Sequence, residues 1–372
     1  MSEKNKSEKN NLLENTSISN SPSSTGSKEG TGTIAGYMYS HAEGYNTIAS
    51  GKASHSEGYS TRAIGMGSHA EGSASKAIGP NSHAEGLTAT SSGNAAHSQG
   101  IHTSAAGCAS HAEGSFTKAN GANSHAEGCN TTANGDLSYA SGLYTDTSDF
   151  QGAYIIGKFG KATHQYSWHL ANGSSPSDTN LAARIEGSGT GVVDMGWLTG
   201  NFGYAEMFES SDSSPIDCGY FVTLQGSKIR KANTSDSFIL GVTSANPAII
   251  ANAGELRWKN KYLTDEWGRI LYETATIANV TDEAGNIILP EHRERRPILN
   301  PKWEKNREYT SRLQRPEWTP VTLKGRVLVR DNGQCAPNEY CRPNDDGIAV
   351  PSPNGCRVME RTGSNQIMIF IE

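Results

Sequence analysis

The chain lacks any run of 18 consecutive apolar residues, which excludes an ordinary membrane-spanning helix. Its opening stretch, MSEKNKSEKNNLLENTSISNSPSSTGSKEG, has no apolar segment of the kind a secretory leader carries. Synthesis in the cytoplasm without a Sec signal is therefore expected. Aromatic residues make up only 8% of the 372 positions, and residues 1–150 hold few Leu, Ile, Val or Phe. That half cannot build an ordinary globular core, so it must be disordered or ordered by repetition. A net charge of −6 gives no field that favours nucleic acid or an anionic membrane. No nucleophile motif appears, the GGxGxD pattern of calcium-binding rolls is missing, and neither a metal nor a cofactor is expected.

Cysteine is sparse as well. Cys108 and Cys129 are expected as small packing residues, and Cys335 and Cys341 (CAPNEYC) are spaced to close a short disulfide loop. That spacing suits no common zinc motif. Without a secretion signal the thiols are expected to start reduced, with oxidation open to them later, outside the cell.

What the chain does have is a period. SHAEG begins at Ser40, Ser68, Ser82, Ser110 and Ser124, with variants at Ser54, Ala96 and Ser138, all separated by multiples of 14. A second glycine follows the first by seven residues: Gly51, Gly65, Gly79, Gly93, Gly107, Gly121 and Gly135. Fourteen residues are too few for a helical hairpin, and no helical periodicity is present. They suit two short strands and two tight turns stacked as a β-solenoid, with the glycines expected to supply positive φ. In a strand, residues two apart share a face. The repeat thus predicts a column of His41, His55, His69, His83, His97, His111 and His125. Beside it stand Glu43, Glu57, Glu71, Glu85, Gln99, Glu113 and Glu127. Seven copies of one pair point to a structural ladder of charge-assisted hydrogen bonds, with Gln99 taken into the series, rather than to catalysis.

Beyond Gly142 the grammar changes. Residues 143–200 read as a connector of short strands and loops, in which His164 and His169 are expected to be surface or packing residues rather than metal ligands. GYFVTLQGSKIRKA (219–232) reads as a hairpin, and CRVMERTGSNQIMIFIE as a last hairpin. The charged stretch 291–318 is expected to be an exposed loop with some helix.

The repeats over 38–142 resemble the head repeats of YadA-like trimeric autotransporter adhesins, with His and Glu where those adhesins mostly carry Val and Ile. That resemblance implies a left-handed β-roll and a homotrimer. The blocks GYAEMFES, GYFVTLQGSKIRKA, ILGVTSANPAIIAN, KYLTDEWGRILYE, GRVLVRDNGQCAPNEYC and NGCRVMERTGSNQIMIFIE are similar to the C-terminal intramolecular-chaperone, autoproteolytic domain of bacteriophage tailspikes and neck appendages, of the peptidase G-two type. This implies a domain that trimerises, templates the fibre before it and cuts itself free. The implied Asp-x-x-Glu pair maps its Glu onto Glu206, whereas Gly203 stands where the Asp belongs. The alternatives left open are that self-cleavage is slow, that it borrows Asp194, Glu209 or Asp212 as second acid, or that it does not occur. The implied cut lies near Gly200, Asn201 and Phe202.

The expected fold is all-β: a trimeric left-handed β-roll solenoid followed by a β-rich chaperone domain. The expected divisions are a disordered arm (1–34), β-roll repeats (35–142), a connector (143–200) and the chaperone/autocleavage domain (201–372). The expected function is that of a homotrimeric phage tail fibre or spike. Its partners would be its own copies, other appendage components and a cell-surface receptor. The alternative is a bacterial or spore-surface adhesin that keeps its C-terminal domain.

Overall fold

Each stretch of 14 residues makes one coil. In a representative coil, His41–Tyr45 forms the longer strand and Ile48–Ala49 the shorter. Each pairs in parallel with its equivalent one coil on, His41 with His55 and Ala49 with Ala63. The computed structural model describes residues 26–372 except 255, 257–259, 282–284, 286, 290, 305 and 307. About ten such turns stack into a parallel β-solenoid. No helix among the described residues is long and apolar enough to cross a membrane.

The solenoid interior is made of small side chains. Ala42, Ala49, Ala63, Ala70, Ala77 and their equivalents are fully buried, alternating with buried Ser and Thr. The hydroxyls find partners locally: Ser68 Oγ donates to the Gly65 carbonyl at 2.7 Å, and Ser56 and Thr61 share a bond of 2.8 Å. Alanine buries too little area to hold a coil by itself. The coils are tied instead by backbone bonds, such as Ile48 N–H to the Thr61 carbonyl at 2.9 Å and His55 N–H to the Ser68 carbonyl at 2.8 Å.

The two glycines of the repeat do different work. Gly44 and its equivalents have φ near +100°, as expected. The second glycine, Gly107 for example, has no positive φ; a Cβ there would lie 1.9 Å from the Gly121 carbonyl oxygen. It is needed for clearance between coils. The left-handed corners fall largely on other residues, among them Asn46 (φ 52°), Ala53 (φ 54°) and Phe116 (φ 56°). Each such corner costs roughly 1–2 kcal/mol, so a coil is tolerable only when its neighbours hold it in place.

The solenoid is longer than its sequence period at both ends. Ser27–Thr31 pairs with His41–Tyr45, so the first coil begins inside the segment expected to be an arm; residues 1–25 lie outside the described residues. At the other end Tyr139–Asp146, Tyr154–Lys161 and Trp168–Asn172 continue the parallel stacking through a stretch expected to be a connector. The offset from Tyr139 to Tyr154 is one residue longer than the repeat. Leu181–Ile185 then pairs antiparallel with Trp168–Asn172, and Gly191–Val193 with Leu181–Ile185. Cys108 is exposed rather than packed inside.

The described chain divides into one unit ending at Gly196 and another from Trp197 to Glu372. In the second unit the 13-residue strand Trp318–Arg330 is the hub. It pairs antiparallel with Tyr204–Glu209, Gly241–Thr243 and Gln366–Ile371. Phe221, Val242, Val327, Val329, Val358, Ile367 and Ile369 form its main core. Both hairpins are present, as Phe221–Gln225 with Lys228–Lys231 and Cys356–Gly363 with Gln366–Ile371. The charged stretch differs from expectation: His292–Pro297 is a strand paired with Tyr272–Ile277, and among the described residues of the stretch helix is limited to one 3-10 turn, Arg312–Gln314. All six cysteines are free thiols, and Cys341 faces Cys356 across a strand pair instead of closing a loop with Cys335.

Replacing Gly107 by alanine tests the clearance argument, because its φ is ordinary. The added methyl must force two coils apart, and we expect a loss of about 1–3 kcal/mol. An unchanged melting temperature in the Gly107→Ala chain would overturn the clearance role.

Candidate functional site

Two places carry chemistry, the histidine–glutamate ladder and the surroundings of Glu206. The ladder follows from the coil register, which sets His above His and Glu above Glu. From His55 to His111 the rings stack with centroids 4.7–4.8 Å apart and planes within 4°. The column is tilted at its ends, by 58° between His41 and His55 and by 47° between His111 and His125.

The ring-to-carboxylate contacts run diagonally. Nε2 of His55, His69, His83 and His97 lies 3.2–3.4 Å from a carboxylate oxygen of Glu43, Glu57, Glu71 and Glu85, each one coil earlier. His125 and Glu113 repeat this at 3.7 Å. Gln99 does break the series. Its amide donates to Glu113 at 2.5 Å, and no ion pair joins His111 to the preceding coil. Burial, and then the positive charge of neighbouring rings, holds the pKa of His83 and His111 below the usual imidazole value. Glu127 titrates below the ordinary carboxylate range, chiefly because Ser141 donates to it at 2.7 Å.

His164 and His169 do not come together as a pair of ligands. His169 is buried; its Nδ1–H donates to the Tyr154 carbonyl at 3.2 Å and its Nε2 accepts from the Thr163 N–H at 3.2 Å. Burial lowers its pKa below the usual imidazole value. His164 is half-buried and lies 3.7 Å from Glu186.

Glu206 sits on the strand Tyr204–Glu209, paired with Val321 on one side and Ala251 on the other. Tyr204, two residues earlier on the same face, donates its hydroxyl to Glu206 Oε1 at 2.8 Å. That bond raises the Tyr204 pKa and fixes the carboxylate. Sequence reasoning passed over Tyr204, although the two-residue strand spacing could have found it.

The expected second acids are placed elsewhere. Glu209, three residues along the strand, takes the opposite face and is paired with Lys228 at 2.8 Å. Asp212 accepts the Ser214 N–H at 2.9 Å in the following turn. Asp194 belongs to the first unit, where it lines a cavity of about 420 Å³ with Lys161 and Arg184.

Gly203 is held by its surroundings. Its φ is +89°, and a Cβ would meet the Arg326 carbonyl oxygen at 2.9 Å and Thr322 Cγ2 at 3.0 Å. Asn201 and Phe202 line a cavity of about 560 Å³ with Cys218, Ser244, Leu328 and Arg330. The Phe202 ring lies 4.7 Å from the Arg326 guanidinium. Glu206 does not line this cavity.

The architecture is thus a β-solenoid followed in the chain by a sheet unit in which one strand carboxylate, Glu206, is oriented by a tyrosine hydroxyl. The family profile of the Peptidase_G2 IMC autoproteolytic cleavage domain matches residues 163–366, and the chain belongs to that family. It is 37% identical over 154 residues to the pre-neck appendage protein of Bacillus phage B103, covering 40% of this chain and 16% of that protein. It is 35% identical over 187 residues to the phage-related protein YobO of Bacillus subtilis strain 168, covering 50% of this chain and 22% of that one. The chain thus spans about a fifth or less of the length of these relatives. The crystal structure of pre-mature bacteriophage phi29 gene product 12 shares its fold, with a TM-score of 0.51 at 20% identity, over 94% of this chain and 40% of that one.

Two outcomes follow from this geometry. Because His83 and His111 bind protons more weakly folded than unfolded, the unfolded chain protonates first as pH falls through about 6.5. Stability from these rings is therefore full above that pH and declines below it. Solenoid melting should occur a few degrees lower at pH 5.5 than at pH 8, and a flat profile would remove the effect. Separately, Gly203→Asp should lower the melting temperature of the second unit, at a cost of roughly 1–2 kcal/mol for the left-handed backbone. A variant as stable as the parent would show that the backbone relaxes freely there.

Proposed function

We propose that this chain is a homotrimeric structural component of a bacteriophage appendage. In this reading residues 201–372 act as an intramolecular chaperone that sets the register of the solenoid and then cuts the chain near Gly200, Asn201 and Phe202. The observation that carries it is the joint occurrence of the Peptidase_G2 match and the 37% identity to a phage pre-neck appendage protein. Its partners are then its own copies, neighbouring appendage components and a receptor on the host surface, and its place is the virion.

The kinetic logic supports the same reading. A one-coil slip costs little in a perfect repeat, so several chains cannot find a common register from the solenoid alone. A C-terminal unit that associates first removes that ambiguity. Cutting it away afterwards leaves a solenoid that cannot refold once unfolded, which makes its stability kinetic.

The cut is assigned to Glu206. A lone carboxylate can serve both halves of peptide hydrolysis by taking a proton from the attacking water and returning it to the leaving amine. With Gly203 in place of a second acid, the reaction is slow and happens once per chain.

The test is the denatured mass of the purified chain followed over several days. Two fragments meeting near residues 200–202, and their loss in Glu206→Ala, are expected. A single persistent full-length mass would eliminate self-cleavage, and sedimentation as a monomer would eliminate the trimer.

A further inference from the structure

We propose that the histidine–glutamate ladder binds transition-metal ions of the zinc, cobalt or nickel type, which staple successive coils. Four groups bring their ligand atoms within 4.8 Å of one another: His41–Glu43–His55, His55–Glu57–His69, His69–Glu71–His83 and Glu113–His125–Glu127. Two imidazoles with one carboxylate, or one imidazole with two, suit these ions far better than calcium or magnesium, which prefer oxygen alone.

The spacing favours the first group. Ligands about 2.0–2.1 Å from a tetrahedral ion stand roughly 3.4 Å from each other. Glu43 lies between two rings, with His55 Nε2 at 3.4 Å from one oxygen and His41 Nε2 at 3.7 Å from the other. Each contact is near the required length, and because they use different oxygens the carboxylate holds the ion through both or turns to present one to the two rings. The third edge, ring to ring, shortens by tilting, and these two rings are already tilted by 58°. His41 Nδ1 also lies 2.6 Å from Ser27 Oγ. A ring that donates Nδ1–H to this hydroxyl leaves the Nε2 lone pair free for an ion, the usual orienting arrangement for a metal-bound histidine.

Binding requires little of the coil. In the free ladder, Nε2 of His69, His83 and His97 is hydrogen-bonded to the glutamate one coil earlier, whereas Nε2 of His55 and His125 has no hydrogen-bond partner, and a ring is ready for an ion when its proton sits on Nδ1. On binding, the proton moves to Nδ1 and the ion takes its place between ring and carboxylate. The histidine and glutamate side chains of these groups remain about one-third exposed, while Nε2 of His55 and of His125 is itself covered and has no hydrogen-bond partner, so an ion enters as the ring turns.

The shared rings set a ceiling. His55 belongs to the first two groups and His69 to the second and third. Each Nε2 has one lone pair, so adjacent groups cannot fill together. The first, third and fourth can, which limits the chain to three ions.

The experiment titrates the full, folded chain with Co²⁺, read by visible d–d absorption, and with Zn²⁺ by calorimetry and melting temperature. We expect tetrahedral Co²⁺ bands saturating at no more than three ions per chain, and a melting temperature that rises with Zn²⁺. Glu43→Gln should remove the first site; the coil tolerates this change, because Gln99 stands at the equivalent position. Ser27→Ala, which keeps every ligand, should weaken that site about tenfold. Absence of d–d bands would overturn the proposal. So would a stoichiometry unchanged in Glu43→Gln, or the near-ultraviolet charge-transfer of thiolate binding as the only signal.

Discussion

Successive coils meet backbone to backbone, and nearly every feature of the solenoid follows from that contact. The distance between hydrogen-bonded strands is fixed at about 4.8 Å. At that spacing Gly107 has room for no Cβ against the Gly121 carbonyl, and the interior accepts alanine, serine and threonine but little that is larger. The same spacing sets imidazole above imidazole at van der Waals distance, 4.7–4.8 Å between centroids. The stacked rings are therefore a consequence of the register. Burial and the neighbouring rings disfavour charge on the column, while the diagonal glutamates offset the repulsion between rings that do become protonated.

Such a contact makes each coil dependent on the next. The left-handed corners at Asn46, Ala53 and their equivalents are unfavourable locally, and the alanine interior returns little for a single coil. Stability accumulates only along the stack. This is the opposite of the second unit, where Phe221, Val242, Val329, Ile367 and Ile369 enclose a core of ordinary size and the strand Trp318–Arg330 ties distant segments together. One unit stands by its own core; the other stands by repetition.

The sequence made some of this legible and hid the rest for identifiable reasons. The His and Glu columns could be read because strand side chains alternate with a period of two. The role of the second glycine could not, because spacing alone does not separate a positive φ from a close approach. Coils beyond Gly142 escaped notice because Ile155 and His169 stand where the earlier coils carry alanine, and one inserted residue breaks the count. At the candidate site a motif pointed to Glu206, but only pairing geometry places Glu209 on the other face with Lys228. The same geometry gives Gly203 a backbone reason to be glycine. The strand His292–Pro297 was masked by its charge, which its exposed ion pair between Arg296 and Glu273 accommodates.

The irregularities of the solenoid gather toward its C-terminal end. The coils up to His125 are close copies, interrupted within the ladder by Gln99 alone. Tyr139 and Tyr154 then replace histidine in the column, the longer coil follows, and antiparallel strands close the stack at Leu181–Ile185. A uniform ladder carries no mark by which one coil differs from the next. Apart from Gln99 and the first coil, where Ser27 stands in the histidine position, those marks are concentrated where the repeat decays, before the second unit in the chain. Register can therefore be defined from that end and propagated towards the N-terminus. Under the proposed function, a templating unit that follows the solenoid would act at the end where the coils differ most from one another.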